Sequence, residues 1–310
     1  MGQVLCYRGC KSLLFFSVLG LLFFSSCQST RSFTSPLPEE YSIRMSKSSA
    51  SGYKNVKRVR KYEFAHRDVP AAFDGCRLGF VSDLHYRSLL KKKGLRDITR
   101  LLNDLRLDAL LIGGDLHEGC EYVPDVIAAL GAVKTPLGTY AVLGNNDYEA
   151  CYDDILKEME RQGIHLLEHE ADTLKRNGGR IVIAGVRNPF NLGQNGQSPT
   201  LSLSPDDFVI LLSHTPDYAE DVPVTNTDLV LAGHTHGGQV TLFGLYAPVI
   251  PSRYGQRFLT GLRYNSNNTP IIITNGIGTS RKNVRFFAPS EVVVITLRRF
   301  VNIEHTMHYE

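Results

Sequence analysis

The sequence predicts an α/β fold in which two β-sheets pack on one another, and three observations predict it. Short apolar, β-branched runs alternate with helical patterns from about residue 76 onward. The first of these runs each end on Asp, Gly or Asn. Later runs follow one another closely with fewer helices between them, which calls for a second sheet covering the first.

In chain order, "RLGFVSD", "LDALLIGGD" and "GTYAVLGNND" read as buried strands. Ile98, Leu101, Leu102 and Leu105 keep helical spacing between the first two, and Val126, Ile127, Leu130 and Val133 between the next two. This half therefore reads β-α-β-α-β. "RIVIAGV", "FVILLSH", "DLVLAGH", "PIIITNG" and "EVVVITLR" then supply the second sheet, and residues 188–205 read as a long loop. There is no internal repeat.

The 310 residues divide into an N-terminal signal or membrane-anchor segment (1–30), a basic Ser/Pro-rich linker (31–60) and one domain (61–310). The apolar part of Ser12 to Cys27, preceded by Arg8 and Lys11, is shorter than the roughly 20 residues that span a bilayer and matches the ~7–15 of a signal-peptide core. "FSSC" resembles a loose lipoprotein cleavage box ending at Cys27, so export, lipidation and a retained anchor are all open. Cys6 and Cys10 are candidates for acylation.

Charge is distributed unevenly. Residues 1 to 61 hold ten Lys/Arg against two acids, whereas the rest hold 24 against 29. A mildly acidic domain argues against nucleic-acid binding, and a basic arm beside an apolar segment suits an anionic membrane surface. The body holds three cysteines, Cys76, Cys120 and Cys151, without CxxC spacing. That pattern argues against a disulfide framework or zinc knuckle and towards a reducing compartment.

The chemistry gathers at the carboxyl ends of the strands, where open α/β sheets place ligands. Those ends read Asp83-Leu84-His85, Asp115, Asn145, His214 and His234-Thr235-His236. Each alone has an ordinary explanation as a cap, a turn or a core histidine. Together they form a mixed imidazole, carboxylate and amide-oxygen set that suits manganese, iron or zinc. Seven side chains exceed one tetrahedral ion and suit a pair bridged by a carboxylate. Two ions roughly 4 Å apart can activate a water and clamp the attacking and leaving oxygens of a phosphoryl centre.

The segments "DLH", "GGDL", "GNND", "LSH" and "GHTHGGQV", in that order, resemble the calcineurin-like metallophosphoesterases over roughly residues 76 to 298. The resemblance implies a four-layer α/β/β/α sandwich of two mixed sheets flanked by helices. It also implies two divalent ions, manganese first, with Asp83, His85 and His236 on one, Asn145, His214 and His234 on the other, and Asp115 bridging. Position 146 is usually histidine in the family, a proton donor near the leaving group; here it is Asn146. A neutral amide is no general acid, which favours a phosphoanhydride over an alkyl diester, because phosphate leaves without protonation more easily than an alkoxide.

"GHTHGGQVTLFGLYAPVIPSRYGQRFLTGL" and "NGIGTSRKNVRFFAPSEVVVITL" resemble the membrane-associated branch of that family. With GNND and a membrane-directed N-terminus, they resemble the chlamydial-type UDP-2,3-diacylglucosamine pyrophosphatases of lipid A synthesis. That implies a nucleotide-linked acylated sugar as substrate, release of UMP, and work at the cytoplasmic face of the inner membrane; a broad-specificity phosphodiesterase or phosphatase, membrane-associated or exported as a lipoprotein, is the alternative, and a non-catalytic scaffold a remote one. No helical lid insertion for acyl chains is evident. His117, Arg253 and Lys91, the last leading Lys92 and Lys93, are candidates for substrate contact against packing or solvated roles. Gly144, Gly233 and Gly237 are expected to permit close turns around the metals.

Overall fold

The computed structural model describes residues 41–149, 151–187, 193 and 195–300. Strands β1 (Tyr41–Ser49), β2 (Arg58–His66) and β3 (Arg77–Val81) lead into α1 (Lys92–Asp104), β4 (Ala109–Ile112), α2 (Val123–Gly131) and β5 (Thr139–Ala141). Helices α3 (Asn145–Glu149) and α4 (Tyr152–Gln162) precede β6 (Ile164–Leu166), β7 (Glu170–Arg176), β8 (Gly179–Gly185) and β9 (Val209–Ser213). Short α5 (Tyr218–Asp221), β10 (Leu229–Ala232), β11 (Gly261–Tyr264), β12 (Pro270–Ile273) and β13 (Glu291–Arg299) complete the order.

The first sheet runs β1-β2-β13-β3-β4-β5-β6 and the second β11-β12-β10-β9-β8-β7. Strands β3 to β6 are mutually parallel, as are β8, β9, β10 and β12. Parallel strands covered on both faces are apolar throughout rather than alternating, which explains "ALLI" in β4 and "LVLA" in β10. Successive residues nevertheless face different cores. Leu110 and Ile112 join a cluster with Ile98 of α1, Ile127 of α2 and Met159 of α4. Ala109 and Leu111 face the other way, towards Ile210 and Leu231 of the second sheet. Leu211 and Val230 of that sheet turn to a third cluster holding Tyr218 and Phe258. Three cores separating helices, sheet, sheet and helices make the expected four layers.

Three features depart from the sequence reading. The first sheet begins at Tyr41, inside the stretch expected as linker. All nine residues of β1 pair antiparallel with β2, and its basic, exposed side chains are those of a protected edge strand. Strand β13 lies between β2 and β3 of the first sheet, not in the second. Its leading residues are buried on both faces, so periodicity cannot assign its sheet; the buried Glu291 carboxylate meets Arg58 and Arg60 of β2 instead.

The third departure is a Cys120–Cys151 disulfide, with Cα atoms 5.3 Å apart. An odd count forbids pairing every cysteine, not pairing two. These two follow β4 and β5, which are neighbours in the sheet, so the loops leaving them are neighbours as well. Cys76 is buried and free. The segment Met1 to Thr30, with Cys6, Cys10 and Cys27, lies outside the described residues, as does part of the loop 188–205. No helix among the described residues is long and apolar enough to cross a membrane.

Candidate metal centre

The parallel strands deliver the predicted ligands because each buried run stops at the same end of its sheet. Asp83 and His85 follow β3, Asp115 follows β4, and Asn145 follows β5; His214 follows β9, while His234 and His236 follow β10. Ligand atoms of Asp83, His85 and His236 lie within 4.8 Å of one another, and so do those of Asp115, His214 and His234. The two groups share a carboxylate: Asp115 Oδ2 stands 3.4 Å from His85 Nε2 and 3.4 Å from His214 Nε2. Asp115, expected as the bridging ligand, thus stands between one imidazole of each group.

The backbone is bent hard to achieve this. Asp83, His85, Asp115, His234 and His236 all have φ between 40° and 67°. Left-handed backbone at non-glycine residues costs on the order of 1–3 kcal/mol each and persists where surrounding structure fixes it. Three glycines keep the turns tight. A Cβ at Gly144 would fall 2.1 Å from Asp115 Oδ1, and one at Gly233 would fall 2.3 Å from Asp83 Oδ2. Gly237 likewise clears Asn275, and takes φ 60°.

Partners outside the ligand set fix the side chains. Glu118 Oε1 lies 2.6 Å from His85 Nδ1, and His214 Nδ1 lies 2.7 Å from the Gly113 carbonyl, leaving each Nε2 aimed into the site. Both Asp83 oxygens accept the His234 amide hydrogen, at 3.1 and 3.0 Å. The buried Asp147 carboxylate accepts from the amides of Asp115, Leu116 and Gly144 at 2.7, 3.0 and 2.8 Å, tying the loop after β4 to that after β5. Arg285 donates to the carbonyls of His236, Asn275 and Gly278, holding the last ligand loop.

Electrostatics separates the four imidazoles. Burial disfavours charge on His85, but Asp115 and Glu118 overcome it and raise its pKa to about 10; His214, also opposed by burial, is raised to about 9 chiefly by Asp115. Burial, with His214 beside it, pushes His234 down to about 3, and burial with His85 and Arg285 nearby holds His236 well below its usual range. Burial opposes ionisation of Asp115 as well, yet His214 and His85 hold it well below the ordinary carboxylate range.

These groups fit divalent cations on an observation of their own. Asn145 Oδ1 is buried and has no hydrogen-bond partner among the described residues, while its Nδ2 donates to Asn146 Oδ1 at 2.9 Å. Imidazole nitrogens also converge in pairs, His85 and His236 Nε2 at 3.2 Å and His214 Nε2 and His234 Nδ1 at 3.1 Å, so that a cation could replace the proton between them. Inward-facing nitrogens, two carboxylates and an orphaned amide oxygen make a hard-to-borderline donor set without thiolate.

A cavity of about 860 Å³ opens over the centre. Asn146 lines it, its Nδ2 3.4 Å from His85 Nδ1, as do Glu118, Glu149, Arg281 and Lys282. The remaining substrate-contact candidates are placed elsewhere. His117 is buried, its Nε2 3.8 Å from Asp147 and its Nδ1 accepting from the Gly119 amide at 3.1 Å. Arg253 pairs with Asp221 on the surface, and Lys91 folds back on the Arg87 carbonyl as the residue before α1. Sequence reasoning missed Glu118, Asp147, Arg281, Lys282 and Arg285. A signal existed for Asp147, which ends the same GNND segment; the others needed distances.

Two nitrogen- and oxygen-donor groups sharing a carboxylate, at the carboxyl ends of two packed sheets, define the class: a hydrolase of phosphoesters that works with divalent metal ions. Residues 76–238 match the family described as calcineurin-like phosphoesterase. The chain is 31% identical over 236 residues to the uncharacterized metallophosphoesterase YkuE of Bacillus subtilis, covering 74% of this chain and 82% of that one. It therefore belongs to the calcineurin-like phosphoesterase family. An uncharacterized metallophosphoesterase of Helicobacter pylori (strain J99) is 32% identical over 224 residues, 70% of this chain and 58% of that protein. A zebrafish "transmembrane protein with metallophosphoesterase domain" is 27% identical over 257 residues, 78% of this chain and 57% of its own length. The chain thus spans less than two thirds of the length of these last two relatives.

Proposed function

We propose that the protein cleaves the phosphoanhydride of a nucleotide-linked acylated sugar, UDP-2,3-diacylglucosamine being the specific candidate, with two divalent ions, manganese first, held by the seven ligands. The observation that carries this reading is Asn146, an amide standing at the cavity wall beside His85 where a proton donor would serve an alkoxide leaving group. The apolar side of the same cavity, formed by Val240, Val249 and Val284, supports a substrate with a lipid portion.

When bound, the ions would supply charge against the phosphoryl oxygens and an acidified water. The chain's own residues do the rest. Asp115 would hold both ions through one carboxylate, and Glu118 and the Gly113 carbonyl keep His85 and His214 presenting Nε2. Arg281 and Lys282 offer fixed positive charge to a second phosphate at the mouth. Asn146 can donate a hydrogen bond to the leaving phosphate without transferring a proton.

The test is turnover of UDP-2,3-diacylglucosamine and, separately, bis-p-nitrophenyl phosphate by manganese-loaded protein, with Asp115→Ala as control. Cleavage of the anhydride, faster than the diester and lost in the variant, is expected. Diester cleavage alone would overturn the substrate assignment, and an active Asp115→Ala would overturn the bridging role.

A second reading is favoured by the Cys120–Cys151 disulfide. Such bonds persist in oxidising compartments. On this reading the protein is the broad-specificity phosphodiesterase or phosphatase in its exported lipoprotein form, anchored outside the cytoplasm. Thiol labelling of protein taken from cells under acid quench decides between them: blocked Cys120 and Cys151 mean export, and reactive ones return the cytoplasmic face.

A further inference from the structure

Beyond the valines that line the cavity, its rim carries the exposed side chains of Leu242, Phe243 and Leu245, which hydrolysis does not use. Residues 239–250, "QVTLFGLYAPVI", contain no charged residue, and residues 280–288, "SRKNVRFFA", contain three basic residues and no acid. At the tips Leu245 is 82% exposed, Phe243 76% and Val249 71%. Singly exposed apolar residues need no explanation, but a contiguous group of them does.

The two segments are clamped together rather than loose. The Thr241 amide donates to the Phe286 carbonyl at 3.0 Å and the Phe286 amide to the Gln239 carbonyl at 2.9 Å, while the rings of Phe243 and Phe287 lie 5.5 Å apart. Gln239 stitches the base, its side chain donating to the carbonyls of Ser280 and Lys282. Basic residues flank the tip on both sides: Arg281 and Lys282 at the catalytic cavity, Lys54 and Lys57 in a second cavity beside Phe287.

We propose that this rim docks on an anionic lipid bilayer, with Leu242, Phe243 and Leu245 entering the boundary between head groups and acyl chains and Lys54 and Lys57 meeting lipid phosphates. Two arguments select a bilayer over a protein partner. The two rim segments carry basic residues and no acid, complementary to an anionic leaflet, and the acids of the cavity, Glu118 and Glu149, come from other segments. The chain also carries the apolar segment Ser12 to Cys27, led by Arg8 and Lys11, which suits the same environment. Docking would set the cavity mouth at head-group depth. Its advantage for catalysis rests on the lipid-linked substrate proposed above; the docking itself does not, and it is measured without turnover.

The chain contains no tryptophan, so one introduced indole reports its own surroundings. Leu245→Trp places it at the tip. Lys175→Trp is the control: Lys175 is exposed and pairs with Arg180 at the start of β8, the end of the second sheet away from the ligands. The full chain is reconstituted with vesicles of phosphatidylcholine and phosphatidylglycerol, with and without brominated acyl chains. Because the N-terminal segment is present in both variants, general membrane capture cannot separate them. Docking predicts a blue-shifted emission and loss of most intensity to bromolipid for Leu245→Trp, and neither for Lys175→Trp. Equal quenching of both, or no quenching at position 245, overturns the proposal. So does a tip indole shielded in lipid-free solution by self-association.

Discussion

Glu118 Oε1 stands 2.6 Å from Nδ1 of His85, closer than any ligand atom approaches that ring. A carboxylate there fixes the tautomer and makes Nε2 a better donor. Glu118→Gln keeps the shape and removes the charge, and is expected to weaken metal affinity about 10- to 100-fold. Competition against a chelating dye reads this directly; unchanged affinity would reduce Glu118 to a surface contact.

Asp147 accepts three backbone amides from two loops. Asparagine offers one oxygen where the carboxylate offered two, and its amino group would face a donor. Asp147→Asn should cost about 1–3 kcal/mol of stability, the penalty of a buried donor left unpaired. Urea denaturation of the metal-loaded protein measures it, and a variant as stable as the parent would mean the loops are held by other bonds.

Protonation of the four imidazoles sets a pH profile for chelated protein. His85 and His214, raised to about 10 and about 9 from 6.5, contribute stability that is complete below 6.5 and lost as pH climbs through those values. His234, lowered to about 3, stays neutral when folded, so the unfolded chain gains protons first and stability falls as pH drops below 6.5. The thermal midpoint should therefore peak near pH 6.5 with chelator. With manganese the alkaline fall should flatten, since the ligands are neutral imidazoles. A midpoint that rises steadily from pH 6.5 to 9 in chelator would contradict these assignments.

Asn146→His restores a proton donor beside the centre. It should raise turnover of an alkyl phosphodiester within the range of about 10²- to 10⁴-fold that general-acid catalysis contributes, and change anhydride turnover far less. Steady-state rates on both substrates decide it, and equal effects would remove the role assigned to position 146.

Much of the centre was legible because metal ligation and strand endings are local properties. Asp83, Asp115, Asn145, His214 and His234 each follow an apolar run, and period and composition identify such runs without any knowledge of their neighbours. His117 sits only two residues beyond Asp115 yet is buried beside Asp147, while Arg253 and Lys91, farther along the chain from the endings, bond Asp221 and the Arg87 carbonyl. Side-chain direction depends on the turn each residue occupies, which proximity along the chain does not specify.

The sequence by itself determined the alternation of strands and helices, the seven donor groups and the neutral amide at position 146, since each is written in a short stretch whose chemistry is complete. Tertiary packing alone decided that Asp115 reaches both donor groups, that Cys120 meets Cys151, that β13 enters the first sheet, and that Glu118 and Asp147 brace the ligands. Those relationships join segments tens to hundreds of residues apart. Their distances are set by which strands lie side by side, a choice made by the burial of whole faces and not by any local pattern.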